Sequence, residues 1–376
     1  MAEDLRASPL GAAWRAQALR AQEQALPRGR AVVSCQAPLG VGGLGRHVRE
    51  ILDALGRAGQ PTVHIGGGGS GSDAARVARH FDRFTLAKAA SPLIRFSPAA
   101  RVRLGSARFD ARAAAQLGAA EHLIAFNGTA LAQFRAAERL RFQSLSLVSA
   151  NSHIRRVVEQ HARAFRQYPI ERPWATQIVS RNLREYAQAD RIYVASQYIR
   201  ESFLHEGFAE ESLSFFPLTP DPRYQPVPRP TTSPTFDVVY VGSLVVHKGV
   251  PLLLEAFARL PHRDLRLVLV GGWKTRAMRR HIERACARDA RIAVRPGDPL
   301  AHLQGARLCV HPAYEDGFAY APAEAIACGV PVLVSEDTGM KELIDGEEVG
   351  MILATGDADA LAQAIEAAYR GEIFGG

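Results

Sequence analysis

Short runs of β-branched and aliphatic residues alternate along this chain with longer stretches whose apolar positions recur every three or four residues. Residues 31–37 (AVVSCQA) predict an opening strand. A glycine loop follows, then a helix that puts Val48, Ile51, Leu52 and Leu55 on one face. Residues 61–65 predict a second strand, ending in Gly66-Gly67-Gly68-Gly69. Residues 101–118 predict a basic helix, and 122–126, 144–150 and 191–195 further short strands. Strand and helix in alternation imply a parallel, doubly wound sheet.

Residues 216–235 interrupt this rhythm. With seven prolines in FPLTPDPRYQPVPRPTTSPT, the stretch forms neither a helix nor a central strand and predicts a linker. A second alternating series follows: strand 237–241, helix 251–260, strand 265–270, Gly271-Gly272, helix 274–288, a strand near Ile292, and strand 308–311. The expected organisation is α/β with two Rossmann-like domains: a helical extension over 1–30, a first domain over 31–217, a linker over 218–235 and a second domain over 236–376. A chain of 376 residues exceeds one ordinary hydrophobic core, which agrees.

Composition narrows the classes. The 47% apolar and 22% charged content is that of a globular protein, and no apolar run of about 18 residues is present to span a membrane. The first 30 residues, rich in Ala, Arg and Gln, lack the apolar centre of a secretion signal. Cys35, Cys286, Cys309 and Cys328 show no paired spacing, which argues against a metal cluster or disulfide framework and fits a reducing cytoplasm. Charge is uneven. Up to Gln225 there are 30 Lys+Arg against 19 Asp+Glu, a balance of +11; beyond it, 16 against 19 give −3. A basic half with clusters Arg101-Arg103-Arg108-Arg112 and Arg135-Arg139-Arg141 points to an anionic surface or a phosphate-bearing acceptor. The absence of any RNA- or DNA-reading motif speaks against nucleic acid.

The most informative stretch is residues 311–335, HPAYEDGFAYAPAEAIACGVPVLVS. It predicts a strand end, an acidic-glycine loop, a helix with Pro322 near its first turn, a stop at Gly329 and a buried strand over 330–334. Asp316 and Glu324 flank the loop and helix start, with seven residues between them. Backbone N–H groups and a helix N-terminus favour an anion between them, and a carboxylate can take two adjacent sugar hydroxyls. A sugar carried on a phosphate suits that pattern.

These residues resemble the donor-binding signature of retaining nucleotide-sugar glycosyltransferases of the GT-B fold, glycosyl transferases group 1. Glu324-Ala325 and Cys328-Gly329-Val330-Pro331 match, while Asp316 stands where Glu is usual, with Glu315 one residue out of register. The resemblance implies two Rossmann-like domains facing each other across a cleft, the first on the acceptor side. It implies a donor site of Gly242, Ser243, Lys248, Asp316, Gly317, Phe318, Ala319 and Glu324, with Gly42 and Gly43 of the glycine loop. Asp316 would face the transferred sugar, Glu324 the nucleotide ribose and Lys248 the diphosphate. Ser243 replaces a commoner Arg, for which His247 or a first-domain arginine would compensate. Gly339 and Glu342 match a further family turn loosely, and Trp273 sits where a residue flanks the base. Near the anomeric carbon either Asn151 or His153 is expected, with Asn127-Gly128 a further candidate. The end at Gly376 leaves little chain for the family's long return helix.

The function implied is metal-independent retaining transfer of a hexosyl unit from a nucleotide-diphosphate sugar to a hydroxyl, with no other cofactor. The acceptor class implied is a cell-envelope glycan or lipid-linked saccharide, reached from the cytoplasm at the inner membrane face. Two alternatives stand beside it. Gly40-Val41-Gly42-Gly43-Leu44-Gly45 has the dinucleotide-binding spacing of an NAD(P)-dependent oxidoreductase, but no acid ends the second strand and Asp73 comes only later. The other is a catalytically idle domain of the same fold that binds a membrane or partner.

Overall fold

The computed structural model describes residues 10–66, 77–80, 98–228, 235–344, 346 and 348–374. The four-glycine run beyond Gly66, Asp73, the Arg101 side chain and the linker's residues 229–234 lie outside the described residues. Two compact units result. One holds Gln17–Val158 and Pro173–Leu218; the other holds Glu159–Arg172 and Thr219–Gly376 with the chain's start, Met1–Ala16.

The first unit is built on seven parallel strands: β1 (Ala31–Cys35), β2 (Thr62–Gly66), β3 (Val77–His80), β4 (His122–Phe126), β5 (Ser144–Ser149), β6 (Arg191–Val194) and β7 (Leu213–Phe215). Their order is β3-β2-β1-β4-β5-β6-β7, the doubly wound arrangement expected. β1 is buried along its whole length, which is why it reads as a mainly apolar run with Ser34 as its polar residue. Its helices are α1 (Ala12–Ala25), α2 (Gly42–Arg57), α3 (Pro98–Ala114), α4 (Leu131–Arg139), α5 (Ile154–Gln167), α6 (Val179–Tyr186) and α7 (Gln197–His205), though α1 and α5 are shared. α2 buries Val48, Ile51, Leu52 and Leu55, the face its spacing predicts. α3 begins earlier than its pattern suggests, with Pro98 as its first residue, where a missing N–H costs nothing.

One polar knot inside this unit is not an apolar core. Asp110 and Glu185, both fully buried, flank Arg181, whose Nη1 is 2.7 Å from Asp110 Oδ2 and 3.5 Å from Glu185 Oε1. The carboxylates also accept backbone N–H groups at the start of α4: Ala132 to Asp110 at 2.8 Å and Ala130 to Glu185 at 2.8 Å. Burial pushes the Glu185 carboxyl up to about 7, against the pull of those amides and Arg181.

The second unit has six parallel strands, β8 (Phe236–Val241), β9 (Leu265–Val270), β10 (Ile292–Val294), β11 (Leu308–His311), β12 (Val332–Ser335) and β13 (Gly350–Leu353), in the order β10-β9-β8-β11-β12-β13. α8 (Val250–Phe257), α9 (Arg276–Arg288), α10 (Leu300–Gly305), α11 (Tyr320–Ala327) and α12 (Ala358–Tyr369) cover it. Its core joins Val238, Leu267, Val310 and Leu333 to Phe257 and Ile365, and includes Ala164 and Phe165 of α5. The unit boundary therefore falls inside α5, after Val158, a division the apolar pattern does not announce. The proline-rich stretch is also no free tether at its start. Arg223 forms a two-point bond to Asp298 at 2.6 and 2.9 Å, and Tyr224 is buried. Among the described residues no helix is long and apolar enough to cross a membrane.

Candidate functional site

The second unit's candidate residues gather at the C-terminal ends of its central strands, where open α/β sheets place ligands. Two glycine turns meet there. A Cβ on Gly271 would lie 1.8 Å from the Gly242 carbonyl oxygen, so only glycine permits the approach. Gly242 N–H donates to the Val270 carbonyl at 2.9 Å and Leu244 N–H to that of Gly272 at 3.0 Å, zipping the two loops together. The Tyr240 hydroxyl donates to the Ser243 carbonyl at 2.9 Å and fixes the turn from beneath.

After this turn a single 3-10 turn, Val246–Lys248, ends at Gly249, whose φ of +73° starts α8. A Cβ at Gly249 would stand 1.9 Å from the Pro312 carbonyl oxygen. That close approach carries Lys248 onto the acidic loop. Its Nζ lies 2.8 Å from Asp316 Oδ2 and donates to the Glu315 carbonyl at 3.0 Å. His311, at the end of β11 and 5% exposed, donates through Nε2 to the same Asp316 oxygen at 3.1 Å. Burial alone would raise the Asp316 carboxyl, but the Lys248 ammonium and the His311 imidazole outweigh it and hold it well below the usual carboxylate range. Asp316 is therefore an anion at neutral pH, seated between two donors.

Gly317 and Phe318 continue from Asp316, and Ala319 then adopts φ +63°. A left-handed alanine costs on the order of 1–3 kcal/mol. The turn delivers the chain into α11, whose N-cap Ala319 makes no side-chain cap bond. Glu324 follows in the same helix and is 1% exposed. Gly329 ends that helix at φ +71°, the stop its sequence predicts. The turn after β12 closes the other side: Asp316 N–H donates to the Asp337 carbonyl at 3.2 Å, and Gly339 N–H donates back to the Asp316 carbonyl at 3.0 Å. The structure thus brings Gly242, Ser243, Lys248, Asp316, Gly317, Phe318, Ala319 and Glu324 into one end of one sheet. Glu342 points outward, exposed.

His247 does not replace the arginine absent at Ser243. Its ring is enclosed, 4.3 Å from that of His161, and burial, reinforced by His161 and Lys248, pushes its pKa well below the ordinary value. It is neutral, so Lys248 is the cation this turn offers. Trp273 is 37% exposed, with the Arg279 guanidinium 5.2 Å from its ring centre.

In the first unit Gly42 (φ +66°) and Gly43 are exposed at the mouth of α2, and a Cβ on Gly42 would meet nothing within 4 Å. Gly45 differs, because its Cβ would strike the Pro38 carbonyl at 2.1 Å; that glycine serves the tight turn. Asn151 is half-buried just beyond β5. His153 is 1% exposed, its ring enclosed by Tyr186, Phe203 and Phe208, and burial lowers its pKa to about 4. Its surroundings are those of a packed neutral imidazole. Gly128 gives its N–H to the buried Glu185 carboxylate, and Asn127 Nδ2 donates to Asn182 at 3.0 Å. Sequence reasoning missed His311, although it opens the signature stretch and its spacing from Asp316 was in view.

Residues 228–373 match the family model described as glycosyl transferases group 1. That stretch is a group 1 glycosyltransferase domain. The chain is 29% identical over 132 residues to O-antigen chain mannosyltransferase B of Escherichia coli, a match spanning 33% of this chain and 34% of that protein. The chain therefore aligns with about a third of that relative's length. Likeness of fold extends further. Sucrose-phosphate synthase from Thermosynechococcus elongatus superposes with a TM-score of 0.67 at 21% identity, over 91% of this chain and 90% of that one. Anabaena HepE, in complex with UDP-glucose, gives 0.64 at 16% identity, over 92% and 91%. At such identities the likeness concerns the fold, which is GT-B. Residues 228–373 contain Gly242, Ser243, Lys248, Asp316, Gly317, Phe318, Ala319 and Glu324.

Proposed function

We propose that this protein is a retaining glycosyltransferase that moves a hexosyl unit from a nucleotide-diphosphate sugar to a hydroxyl acceptor, a cell-envelope glycan or lipid-linked saccharide. The observation that carries the reading is Lys248, held at 2.8 Å by Asp316 beside two interlocked glycine turns, inside a group 1 glycosyltransferase domain. The names of its relatives, which include an O-antigen mannosyltransferase and a UDP-glucose complex, support the substrate class.

In this reading the acceptor oxygen bonds to the anomeric carbon as the sugar–phosphate bond breaks, and the acceptor proton passes to the departing diphosphate oxygen on the same face. Charge grows on that diphosphate. Lys248 neutralises it, and a preformed cation is worth most where charge develops in the transition state. Asp316 keeps the ammonium in place before the donor arrives and takes hydroxyls of the transferred sugar. Glu324 holds the ribose. The proposed transfer is metal-independent, so chelator should leave turnover unchanged. The dehydrogenase alternative loses ground because Gly40 and Gly45 are explained by the turn itself and β2 ends without an acid.

The acceptor is met at an anionic membrane surface on the cytoplasmic side. Arg103, Arg108 and Arg112 of α3 and Arg135, Arg139 and Arg141 at α4 are exposed, with Leu140 half-exposed among the last of them. Each cation near such a surface contributes about 1 kcal/mol, weakening with salt. Thermal shift with UDP-, GDP- and ADP-sugars identifies the donor, and product NMR reads the anomeric configuration. Lys248→Ala should lower kcat by tenfold or more, about 1.4 kcal/mol. Loss of KM alone, an inverted product, or no response to any nucleotide sugar would overturn the reading. Equal pelleting with neutral and anionic liposomes would overturn the membrane part.

A further inference from the structure

The loops that hold Lys248 and Trp273 share a polar anchor that lies outside the matched glycosyltransferase residues. Glu171, in the turn after α5, accepts the Val246 N–H through Oε2 at 2.9 Å and the Thr275 hydroxyl through Oε1 at 2.6 Å. Val246 opens the 3-10 turn that ends at Lys248, and that turn has no side-chain cap of its own. Thr275 is the N-cap of α9, accepting the Met278 N–H at 3.1 Å, and stands two residues beyond Trp273. One carboxylate therefore spans the diphosphate-side turn and the nucleotide-side turn, with one oxygen for each.

The carboxylate is aimed by a seated element. Ala164 and Phe165 insert into the second unit's core. Gln167 accepts the hydroxyl of the fully buried Tyr314 at 2.6 Å and donates to the Gly356 carbonyl at 2.9 Å. With its stem fixed at these points, Glu171 meets both loops in one geometry, and a group held this way sets the position of what it binds rather than adapting to it. The Tyr168 hydroxyl also donates to Glu255, an exposed bond that this geometry does not depend on.

We propose that Glu171 is a positioning residue for the nucleotide-sugar site, locking the Lys248 and Trp273 loops in their donor-binding arrangement. The inference rests on the function proposed above. Glu171→Gln can still accept the Val246 N–H and turn its NH2 to the Thr275 hydroxyl oxygen, so it loses the charge rather than the contacts, whereas Glu171→Ala loses both bonds. Thr275→Val removes the hydroxyl from the other side. Tyr168→Phe cuts that exposed bond of the same segment while touching neither loop.

Calorimetry with UDP, GDP and ADP on the full chain tests it. The expected result is a loss of about tenfold in affinity for Glu171→Ala, the scale of one charge-assisted hydrogen bond, a smaller loss for Glu171→Gln and less than twofold for Tyr168→Phe. Losses in Glu171→Ala and Thr275→Val should be less than additive in the double variant, a coupling that general destabilisation does not produce. If the unaltered protein binds none of the three nucleotides, the functional reading falls and this inference with it. If it binds one, and Glu171→Ala binds equally well, or Tyr168→Phe loses as much, or the double variant is additive, the positioning role is refuted while the functional reading stands.

Discussion

Gly249→Ala should be among the most damaging single-methyl changes in the glycosyltransferase domain. Two costs add. At φ +73° an alanine is left-handed, a penalty of roughly 1–2 kcal/mol. Its Cβ would also lie 1.9 Å from the Pro312 oxygen and 2.6 Å from the carbonyl carbon. Neither atom is the end of a flexible side chain, so the backbone must move, and overpacking of that kind costs roughly a further 1–3 kcal/mol. Gly329→Ala is the matched comparison, since φ is +71° but the nearest atom is Pro226 Cγ at 3.8 Å. It should show the conformational penalty alone. Urea unfolding of both variants gives the difference, which belongs to the Pro312 contact. Because Lys248 precedes Gly249, nucleotide affinity should fall in Gly249→Ala beyond what its lost stability explains. Equal stability of the two variants would refute the argument that close approach at Pro312 seats Lys248.

Glu324→Ala should weaken binding of the cognate nucleoside diphosphate by roughly 1.5–3 kcal/mol, and unchanged affinity in a folded variant would remove Glu324 from the donor site. Asp316→Asn should lower stability by about 1–3 kcal/mol at pH 7 by leaving Lys248 and His311 without their anion. Since the native carboxyl is held below its ordinary range, that contribution is present above the unfolded pKa of about 4 and is lost as pH falls through the native value. The gap to the unaltered protein should narrow from pH 5 towards pH 3; a constant gap would exclude an ionic origin. Glu185 runs the other way. Its carboxyl, raised to about 7, contributes stability that is full below the unfolded pKa and lost as pH rises through 7. Hydrogen exchange in peptides covering 127–139, corrected for intrinsic rate, should show protection falling between pH 5 and pH 8, with a flatter profile in Glu185→Gln. Parallel profiles would refute the assignment.

Much of the candidate site was legible because its determinants are local. Strands such as Val32 and Val33 announce themselves by burial on both faces, and α2 by the spacing of Val48, Ile51, Leu52 and Leu55. Gly329 ends α11 because a left-handed C-terminal residue favours glycine whatever surrounds it. The spacing of Asp316 and Glu324 marks a loop entering a helix, which is a property of neighbouring residues. His153 shows the limit of such reading. A histidine after a strand and a polar loop has the pattern of a site residue, yet its burial among Tyr186, Phe203 and Phe208 depends on three elements that no local pattern ties together.

The sequence by itself determined the two doubly wound series, the second-unit donor signature and the basic first unit, because periodicity, turn chemistry and net charge are carried by residues close together in the chain. Tertiary structure alone decided that Glu159–Arg172 packs with the second unit, that Lys248 meets Asp316 and His311, that His247 is neutral, and that Glu171 reaches Val246 and Thr275 across 75 and 104 residues. Those contacts follow from the close approach of distant backbones and from burial, which exist only once the sheet has assembled and excluded water.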